Sequence, residues 1–340
     1  MKKYELTSEF ITINRTKLYR IKALKDFGDV KMGDLGGFIE KEENLAQEGD
    51  CWVYDRAIVR DKARIYDNVR IKNRAVVKDN AEISFDAQIL DSAVVGDNAV
   101  VSIQAIVRNS SRIDGNAHVC GSCIIHQDAH ITQKATVKGK ANISGLSVIG
   151  GNAVIDDCAI VSDYAVIKGN AIVKGNSIIE ERAIVGGYAI CIGNARISET
   201  MIVMYGICDT DLTEDIEKSI KHQCNLPVEN GKVIAYKIVR ADLSSIFDSK
   251  YFYKVGEIAE FLIPLRDDIE EKEWINDKTV SCAPGLHFSN LTYWDQEIYH
   301  NPTLSTDKIA YLKAEIDIKD ILAVQAGKIR CAKAKILSVV

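Results

Sequence analysis

Five residues near the middle of the chain have side chains that could do chemistry. His118, His126 and His130 could each act as a general base, and the Cys120-x-x-Cys123 pair could supply two thiolates to zinc. No second cysteine pair with matching spacing follows in the sequence. We therefore predict no metal site and no catalytic residue here, with the histidines on the surface; a catalytic histidine is the alternative.

A second group of reactive residues lies in the last third of the chain. Cys282 precedes His287 by five residues, so a thiol and an imidazole could form a nucleophile and its base. The Pro-Gly pair between them predicts a turn, and the Leu-His-Phe that follows predicts a strand, which explains the same residues without chemistry. We predict that both residues help to line a ligand pocket together with three others: Lys237, Tyr253 and Trp294.

A basic stretch near the start of the central region could contact a phosphate. Residues 55–78 carry eight Lys or Arg against three Asp, and Arg64 and Arg70 are the candidate contacts. The whole chain has a net charge of -5, and residues 51–206 hold 17 basic and 16 acidic side chains. This balance argues against an acidic mimic of DNA, and we expect no nucleic-acid partner. A solvated charged surface is the alternative interpretation of residues 55–78.

A six-residue repeat determines where these side chains must lie. Every sixth residue from Val53 to Val203 is Val or Ile, except Cys191, over 26 positions. Two residues earlier comes a small residue, which is Ala at 19 of 25 positions. Residues two apart on a strand share a face, so both point into a core. A unit this short leaves no room for hairpins and predicts a solenoid of parallel strands.

The residues between the strands predict sharp corners. Asn recurs there, often after Gly or Asp, as in Asp97-Asn98 and Gly169-Asn170. Asn and Gly both tolerate left-handed backbone conformations, so we expect them to make the corners. All four Pro lie beyond residue 226, which fits a ladder in which every backbone donor is used.

The repeat, as in residues 95–100, resembles the hexapeptide repeat of left-handed parallel β-helix proteins. The resemblance implies three units, 18 residues, in each turn, and eight to nine turns in all. Many proteins of this kind are trimeric acyltransferases with a histidine at the subunit cleft, usually beside a loop that interrupts the coil. No loop interrupts the repeat here.

The sequence divides into four parts. We predict an N-terminal cap over residues 1–50 with strands at 4–11 and 17–23, and a β-helix over residues 51–207. Residues 208–227 form a helix and linker, with the helix at 209–223, and residues 228–340 form an α+β domain with strands at 233–239, 309–318 and 328–340. The expected fold class is therefore mainly β, a left-handed parallel β-helix with a C-terminal α+β domain.

Both ends of the chain resemble one class of uncharacterised phage and prophage proteins. The segments that carry the likeness are Gly-Asp-Leu-Gly-Gly-Phe-Ile-Glu at residues 33–40 and Cys-Ala-Pro-Gly-Leu-His-Phe at residues 282–288. The class brings no known activity. It implies a phage-encoded protein that acts in the bacterial host cytoplasm, and the lack of an apolar signal core or an 18-residue apolar run agrees with this.

Outward-facing positions of the repeat become apolar in its second half. From residue 148 on, nine of the ten side chains between the two core positions are Val or Ile: Val148, Val154, Ile160, Val166, Ile172, Ile178, Ile184, Ile190 and Ile202. Successive members fall on different faces of an 18-residue turn. Phe85 and Ile103, 18 residues apart at corners, add a smaller apolar patch. We expect sister subunits to cover one or two of the faces in a homo-oligomer, with a trimer favoured, and the C-terminal domain to cover the remainder.

Three functions stay open on the sequence alone. We favour a non-enzymatic oligomeric scaffold or binding protein without cofactor, metal or membrane. A more specific form of this hypothesis is a protein that sequesters a host factor or a small anionic ligand, with Arg64 or Arg70 as contacts. The alternative is an acyltransferase that uses acyl-CoA.

Overall fold

A computed structural model describes residues 2–204, 206–246, 250–261, 285–300 and 308–340. The chain forms two compact units. Unit 1 contains Met1–Glu181 and Val185–Ala195, and unit 2 contains Arg182–Ile184 and Arg196–Val340.

Unit 1 begins with three strands that close the first turn of the coil. These strands, β1 (Tyr4–Ile13), β2 (Thr16–Ala23) and β3 (Leu35–Ile39), pair antiparallel in that order. β3 then pairs in parallel with the coil strand at Ile58–Val59, and a 3₁₀ turn at Glu42–Asn44 leads into the coil. The two strands predicted for the N-terminal region are confirmed.

The coil is built from two-residue strands on three faces. Face 1 contains β5 (Ile58–Val59), β8 (Val76–Val77), β11 (Val94–Val95), β14 (Arg112–Ile113), β17 (His130–Ile131), β20 (Val148–Ile149) and β23 (Val166–Ile167). Face 2 contains β4 (Trp52–Val53), β7 (Arg70–Ile71), β10 (Gln88–Ile89), β13 (Ile106–Val107), β16 (Ile124–Ile125), β19 (Asn142–Ile143), β22 (Ile160–Val161) and β25 (Ile178–Ile179). Face 3 contains β6 (Arg64–Ile65), β9 (Glu82–Ile83), β12 (Val100–Val101), β15 (His118–Val119), β18 (Thr136–Val137), β21 (Val154–Ile155), β24 (Ile172–Val173) and β27 (Ile190–Cys191). The same pattern continues along the sequence in β26 (Ile184–Val185), β28 (Arg196–Ile197), β29 (Ile202–Val203) and β30 (Ile207–Cys208).

Each face is a parallel ladder with an 18-residue register. Arg70 pairs with Gln88, and Gln88 pairs with Ile106. The second residue of each strand points inward and is fully buried, as Ile71 and Ile89 are, and the small residue two places before it is buried as well. The predicted parallel β-solenoid of about nine turns is therefore confirmed.

The corners differ from the prediction in one respect. The left-handed residue is the one before Asn: Asp97 has φ 51° and Gly169 has φ 67°. The Asn side chains instead stack from turn to turn, and Asn98 Nδ2 donates to Asn116 Oδ1 at 3.0 Å. The Asp97 carboxylate accepts the backbone N–H of Gly115, one turn on, at 2.9 Å. Side-chain hydrogen bonds between turns therefore explain the Asn positions.

Unit 2 contains most of the remaining strands and the helices. Its elements after β30 are α1 (Ile216–Ser219), which continues as a π turn at Ile220–Cys224, β31 (Val228–Glu229), β32 (Lys232–Arg240), β33 (Ile258–Glu260), β34 (Leu286–Phe288), α2 (Leu291–His300), β35 (Ile309–Asp317), a 3₁₀ turn at Ile318–Asp320, β36 (Ile321–Gln325), β37 (Lys328–Cys331) and β38 (Lys333–Val339). The strands form a five-stranded sheet, β31-β32-β35-β38-β33, and a three-stranded sheet, β34-β37-β36. Both sheets contribute to one core, which includes Val233, Leu312, Phe288 and Ile329.

Two predicted elements of unit 2 need correction. The helix predicted at 209–223 begins only at Ile216, because acidic residues before it make turns: Asp211 accepts from the Thr213 backbone at 2.8 Å, and Asp215 caps the helix through the Lys218 N–H. The strand predicted at 328–340 is two strands, because the chain passes from the small sheet to the large one at Ala332. None of the helices in the described part of the chain is long and apolar enough to span a membrane.

Candidate functional site

Lys237 is a buried lysine in the core of unit 2. It lies on the inward face of β32 with Val233, Ala235 and Val239, and only 4% of it is exposed. Side chains alternate along a strand, so this position must point inward, where its neighbours are apolar. The alternating pattern of β32 would predict an aliphatic residue at this position, and the chain has a lysine there.

The ammonium of Lys237 has an aromatic environment. Its Nζ donates to the backbone O of His287 at 3.2 Å. It also lies 5.6 Å from the ring centroid of Tyr253 and 5.7 Å from that of Phe288. Attraction to the two π faces offsets part of the cost of removing the charge from water.

Burial lowers the pKa of Lys237 to about 8, while Cys331 raises it and Lys328 lowers it. The amine is therefore a mixture of ammonium and free base at mildly alkaline pH. An ammonium of this kind can bind an anion, and the free base can act as a nucleophile. The arrangement thus suits a site for a small polar ligand.

His287 lies on β34, next to Phe288, with its backbone O bonded to Lys237. Burial lowers the pKa of His287 to about 3, and Lys237, Lys328 and Arg330 add to the effect. The imidazole is therefore neutral at physiological pH. Cys282, which we predicted as its partner, lies outside the described residues, so the structure gives no geometry for this pair. The predicted strand at Leu286–Phe288 is confirmed.

Trp294 lies on α2 and anchors that helix to β32. Its indole Nε1 donates to the backbone O of Tyr236, the neighbour of Lys237, at 2.7 Å. The structure thus brings Lys237, Tyr253 and His287 together, and it places Trp294 against the adjacent residue of the same strand. The contribution of Phe288 was not predicted, because an aromatic residue in a strand usually packs in the core.

Arg64 and Arg70 do not converge. Arg64 lies on face 3 and Arg70 on face 2, where Arg70 forms an ion pair with Asp29 at 3.8 Å. Other basic residues of the stretch are paired with corner aspartates, as in Arg60–Asp61 at 2.6 Å and Lys78–Asp79 at 2.8 Å. These pairs fit the alternative interpretation of a solvated, partly neutralised surface.

One of the three histidines of the coil has a carboxylate partner. His130 Nε2 lies 2.9 Å from Asp114 Oδ2, which also accepts from Arg112 Nε at 2.5 Å. Burial raises the pKa of Asp114, but hydrogen bonds from Thr132, His130 and Arg112 outweigh it and leave the pKa below its ordinary value. The sequence did not indicate this pair because its members are 16 residues apart. The other two histidines lie elsewhere: His118 is on face 3, and His126 bonds Asn142.

The outward apolar residues of the repeat fall on all three faces, as expected from the 18-residue turn. Val148 and Val166 lie on face 1, Ile160 and Ile178 on face 2, and the face 3 members are Val154, Ile172 and Ile190. Most of them are half-buried by their neighbours on adjacent turns, and Ile160 is more exposed. Ile184 and Ile202, which are also half-buried, belong to unit 2.

Two exposed side chains beside face 1 were missed by the sequence analysis. Leu146 is 52% exposed and Tyr164 is 58% exposed. They are 18 residues apart, each in the turn that precedes a strand of face 1, next to Val148 and Val166. The turn positions vary too much in residue type for the repeat to point to them.

Phe85 and Ile103 occupy corners, as predicted. Their φ angles are 59° and 65°, in a region that a β-branched residue such as Ile103 rarely adopts. Both side chains are largely exposed. Asp67, one turn earlier, accepts the backbone N–H of Phe85 at 2.8 Å and so helps to hold this corner.

Unit 2 also contains a cavity of about 130 Å³. Its polar lining includes Glu199, Glu214, Thr213 and Gln325, and Gln325 Nε2 donates to Glu199 Oε2 at 3.1 Å. Two carboxylates in a small cavity disfavour an anion there. This cavity therefore does not offer the cationic partners that an anionic ligand would need.

Comparison with known proteins gives partial matches. The family model described as "GMPPB C-terminal domain" matches residues 47–141, which lie in the coil of unit 1. The chain is also 42% identical over 80 residues to the "Uncharacterized acetyltransferase YdcK" of Escherichia coli (strain K12). That match covers 21% of this chain and 24% of the relative, so the chain spans about a quarter of the curated protein it matches.

Proposed function

We propose that the protein is a non-enzymatic, homo-oligomeric binding protein whose subunits pack through the outer surface of the coil. The observation that carries this proposal is the pair Leu146 and Tyr164 beside Val148 and Val166 on face 1. Val and Ile favour strands whatever they face, so outward Val alone would say little. Leu146 and Tyr164 lie in turns, where strand propensity does not explain an exposed apolar side chain.

A trimer is the expected assembly. Soluble monomers rarely expose contiguous apolar patches larger than a few hundred Å², and the apolar positions of the coil lie on three faces. A closed ring of three subunits can cover face 1 of each subunit with another part of its neighbour. The bound partner would be a host factor or a small anionic ligand, and the cationic environment of Lys237 and His287 supports the second.

The phage origin and the bacterial cytoplasm as the place of action are further parts of this proposal. They are supported by the resemblance of residues 33–40 and 282–288 to phage and prophage proteins. Native mass spectrometry of protein purified from its host cell would identify both the subunit number and any retained small molecule.

Analytical ultracentrifugation of matched variants tests the assembly. Leu146→Lys and Tyr164→Lys introduce a charge into the apolar patch, and we expect each to convert the oligomer to monomer. Ser110→Lys is the control, since Ser110 occupies the same turn position two turns before Leu146. A wild-type protein that sediments as a monomer at micromolar concentration would overturn the proposal, and so would equal dissociation by the control.

An acyltransferase is the second candidate, because one relative is named an uncharacterised acetyltransferase and His130 is paired with Asp114. His130 pairs in register with Val148 on face 1, so it would lie at the edge of the proposed interface. A thiol-release assay with acetyl-CoA and a panel of amine acceptors tests this function. Turnover that is lost in His130→Gln would establish the enzyme and refute the non-enzymatic proposal, whereas no turnover in the wild type would refute this candidate.

A further inference from the structure

One edge of the coil carries a short apolar ridge beside a notch without side chains. This edge, between faces 3 and 2, is a column of corner residues that stack one turn apart: Asp67, Phe85, Ile103, Gly121, Gly139 and Asp157. Backbone hydrogen bonds fix the stack, since Asp86 N donates to Ile103 O at 2.8 Å and Gln104 N donates to Gly121 O at 2.9 Å. Phe85 and Ile103 form the ridge, and Gly121 and Gly139 form the notch.

The ridge residues hold a strained backbone that little packing offsets. Ile103 is β-branched and has φ 65°, a conformation that such residues rarely adopt. Phe85 is 58% exposed and Ile103 is 46% exposed, so neither side chain gains much apolar burial within the subunit. Strain of this kind is typical of a functional position. A surface that buries the two side chains would offset it.

The notch is a fixed feature of the backbone. A Cβ at Gly121 would lie 2.6 Å from Gly139 O, and a Cβ at Gly139 would lie 2.6 Å from Asp157 N. Only glycine therefore fits at either corner. Successive turns lie about 4.8 Å apart, so the two missing side chains leave a depression as long as the ridge.

Opposite charges flank the ridge and the notch at equivalent positions. Asp86 follows Phe85 in the chain, and Lys140 follows Gly139. Both charged side chains are exposed, and Asp86 accepts one hydrogen bond, from Asn68 Nδ2 at 3.1 Å. Neither Asp86 nor Lys140 forms an ion pair within the ranges that the structure describes. Each is therefore available to a charge on another molecule.

We propose that a second copy of the chain packs on this edge in an antiparallel orientation. The two-fold axis crosses the edge between Ile103 and Gly121, perpendicular to the coil. The ridge of each copy then fills the notch of the other, and Asp86 of each copy faces Lys140 of the other. A parallel arrangement would instead set ridge against ridge and leave both notches empty.

The contact is small. Asp67 and Asp157 would face each other beyond the ridge and the notch, so like charges limit the contact to the four corners between them. A contact of this size predicts weak association that depends on protein concentration. It includes neither Leu146 nor Tyr164, so it goes beyond the assembly proposed through face 1 and does not depend on it.

Sedimentation velocity of the full chain at increasing concentration tests this contact, in the wild type and in Leu146→Lys. We expect Leu146→Lys to form a dimer above the micromolar range. In that background, Asp86→Lys or Lys140→Asp should weaken association roughly tenfold or more, because like charges then oppose each other. Lys62→Asp is the control, since Lys62 is exposed and occupies the same turn position in another corner column. It should leave association unchanged.

A charge swap tests the antiparallel orientation. The double variant with Asp86→Lys and Lys140→Asp should regain association, and so should an equimolar mixture of the two single variants. Ile103→Gly removes half of the ridge and should abolish association. Its free energy of unfolding should stay the same or rise, because glycine adopts the left-handed conformation without strain.

Absence of concentration-dependent association in Leu146→Lys would overturn the contact, and so would an equal loss in Lys62→Asp. A double variant that stays dissociated would overturn the antiparallel orientation. Assembly that Leu146→Lys abolishes and Asp86→Lys leaves unchanged would refute this contact alone. Assembly that responds to Asp86→Lys and not to Leu146→Lys would refute the face 1 proposal alone.

Discussion

Among the residues that the structure describes, two lysines are buried, one in each unit, and their surroundings differ. Lys3, at the start of unit 1, is fully buried. Its Nζ donates to the backbone O atoms of Glu48, Gly49 and Cys51 at 3.0 to 3.2 Å, and Cys51 Sγ lies 3.2 Å away. Lys237 has one carbonyl partner and two aromatic rings.

The difference shows that burial of a lysine does not by itself mark a site. An ammonium has three hydrogens, and three carbonyls satisfy all those of Lys3. This lysine holds together the turn at residues 48–51 through three of its backbone oxygens. Within the described residues Lys237 makes one hydrogen bond, which does not offset its loss of hydration, so its position does not contribute to stability in the same way.

Removal of Lys3 should have the largest effect. Lys3→Met leaves the buried Cys51 carbonyl without this donor and removes the bonds to the Glu48 and Gly49 carbonyls, so we expect unit 1 to lose about 3 kcal/mol of its free energy of unfolding. Hydrogen exchange of residues 48–72 at increasing urea measures the loss. Lys2→Met is the control, because Lys2 is exposed and its ion pair with Glu42 should contribute less than about 1 kcal/mol. A similar loss in both variants would contradict the role given to Lys3.

The pH dependence of the stability of unit 2 should reveal the free-energy cost of burying the Lys237 ammonium. Its pKa falls from 10.5 to about 8 on folding, so between these pH values the unfolded chain binds more protons than the folded chain. Stability must then rise with pH in this window, and the penalty at pH 7 is up to roughly 3 kcal/mol. Lys237→Met lacks this penalty, so the difference in free energy of unfolding between wild type and variant should change in favour of the wild type from pH 7 to pH 10. A difference independent of pH would show that Lys237 is not desolvated.

Loss of an aromatic ring beside Lys237 should have a smaller effect on the free energy of unfolding. Tyr253→Leu keeps an apolar side chain but removes one π face, so we expect a loss of about 1–2 kcal/mol and a further decrease in the pKa of Lys237. Titration of the Lys237 amine by NMR measures the pKa. Phe252→Leu is the control, because Phe252 is the exposed neighbour. An unchanged pKa in Tyr253→Leu would mean that the ring only packs against the stem of the lysine.

The coil was predictable from sequence because its cause is local and repeated. Each six-residue unit places a Val or Ile and a small residue inward, so one error would break the register of every later turn. The roles of individual corner residues were harder to predict. The chain alone does not show that Asp97 takes the left-handed conformation while Asn98 bonds its counterpart one turn away.

The candidate site was only partly predictable, because its residues come from separate strands. Lys237 and His287 attracted attention as polar residues in strand-like segments, but their contact depends on how the two sheets of unit 2 share a core. Arg330 had no signal at all, since nothing in the sequence indicates that it pairs with His287. Leu146 and Tyr164 were missed because their exposure depends on the conformation of the turn, which residue type alone does not predict.

The variants with the smallest expected effect test whether the carbonyl oxygens or the Cys51 sulfur hold the Lys3 ammonium. Cys51→Ser keeps both a donor and an acceptor at this position, so the free energy of unfolding of unit 1 should stay within about 1 kcal/mol of wild type. Cys51→Val removes the sulfur but leaves three carbonyls for three ammonium hydrogens, so it should cost only slightly more. Urea unfolding followed by hydrogen exchange of residues 48–72 compares the two variants. If Cys51→Val were as costly as Lys3→Met, the thiol and not the carbonyls would hold the ammonium, and the contrast with Lys237 would lose its basis.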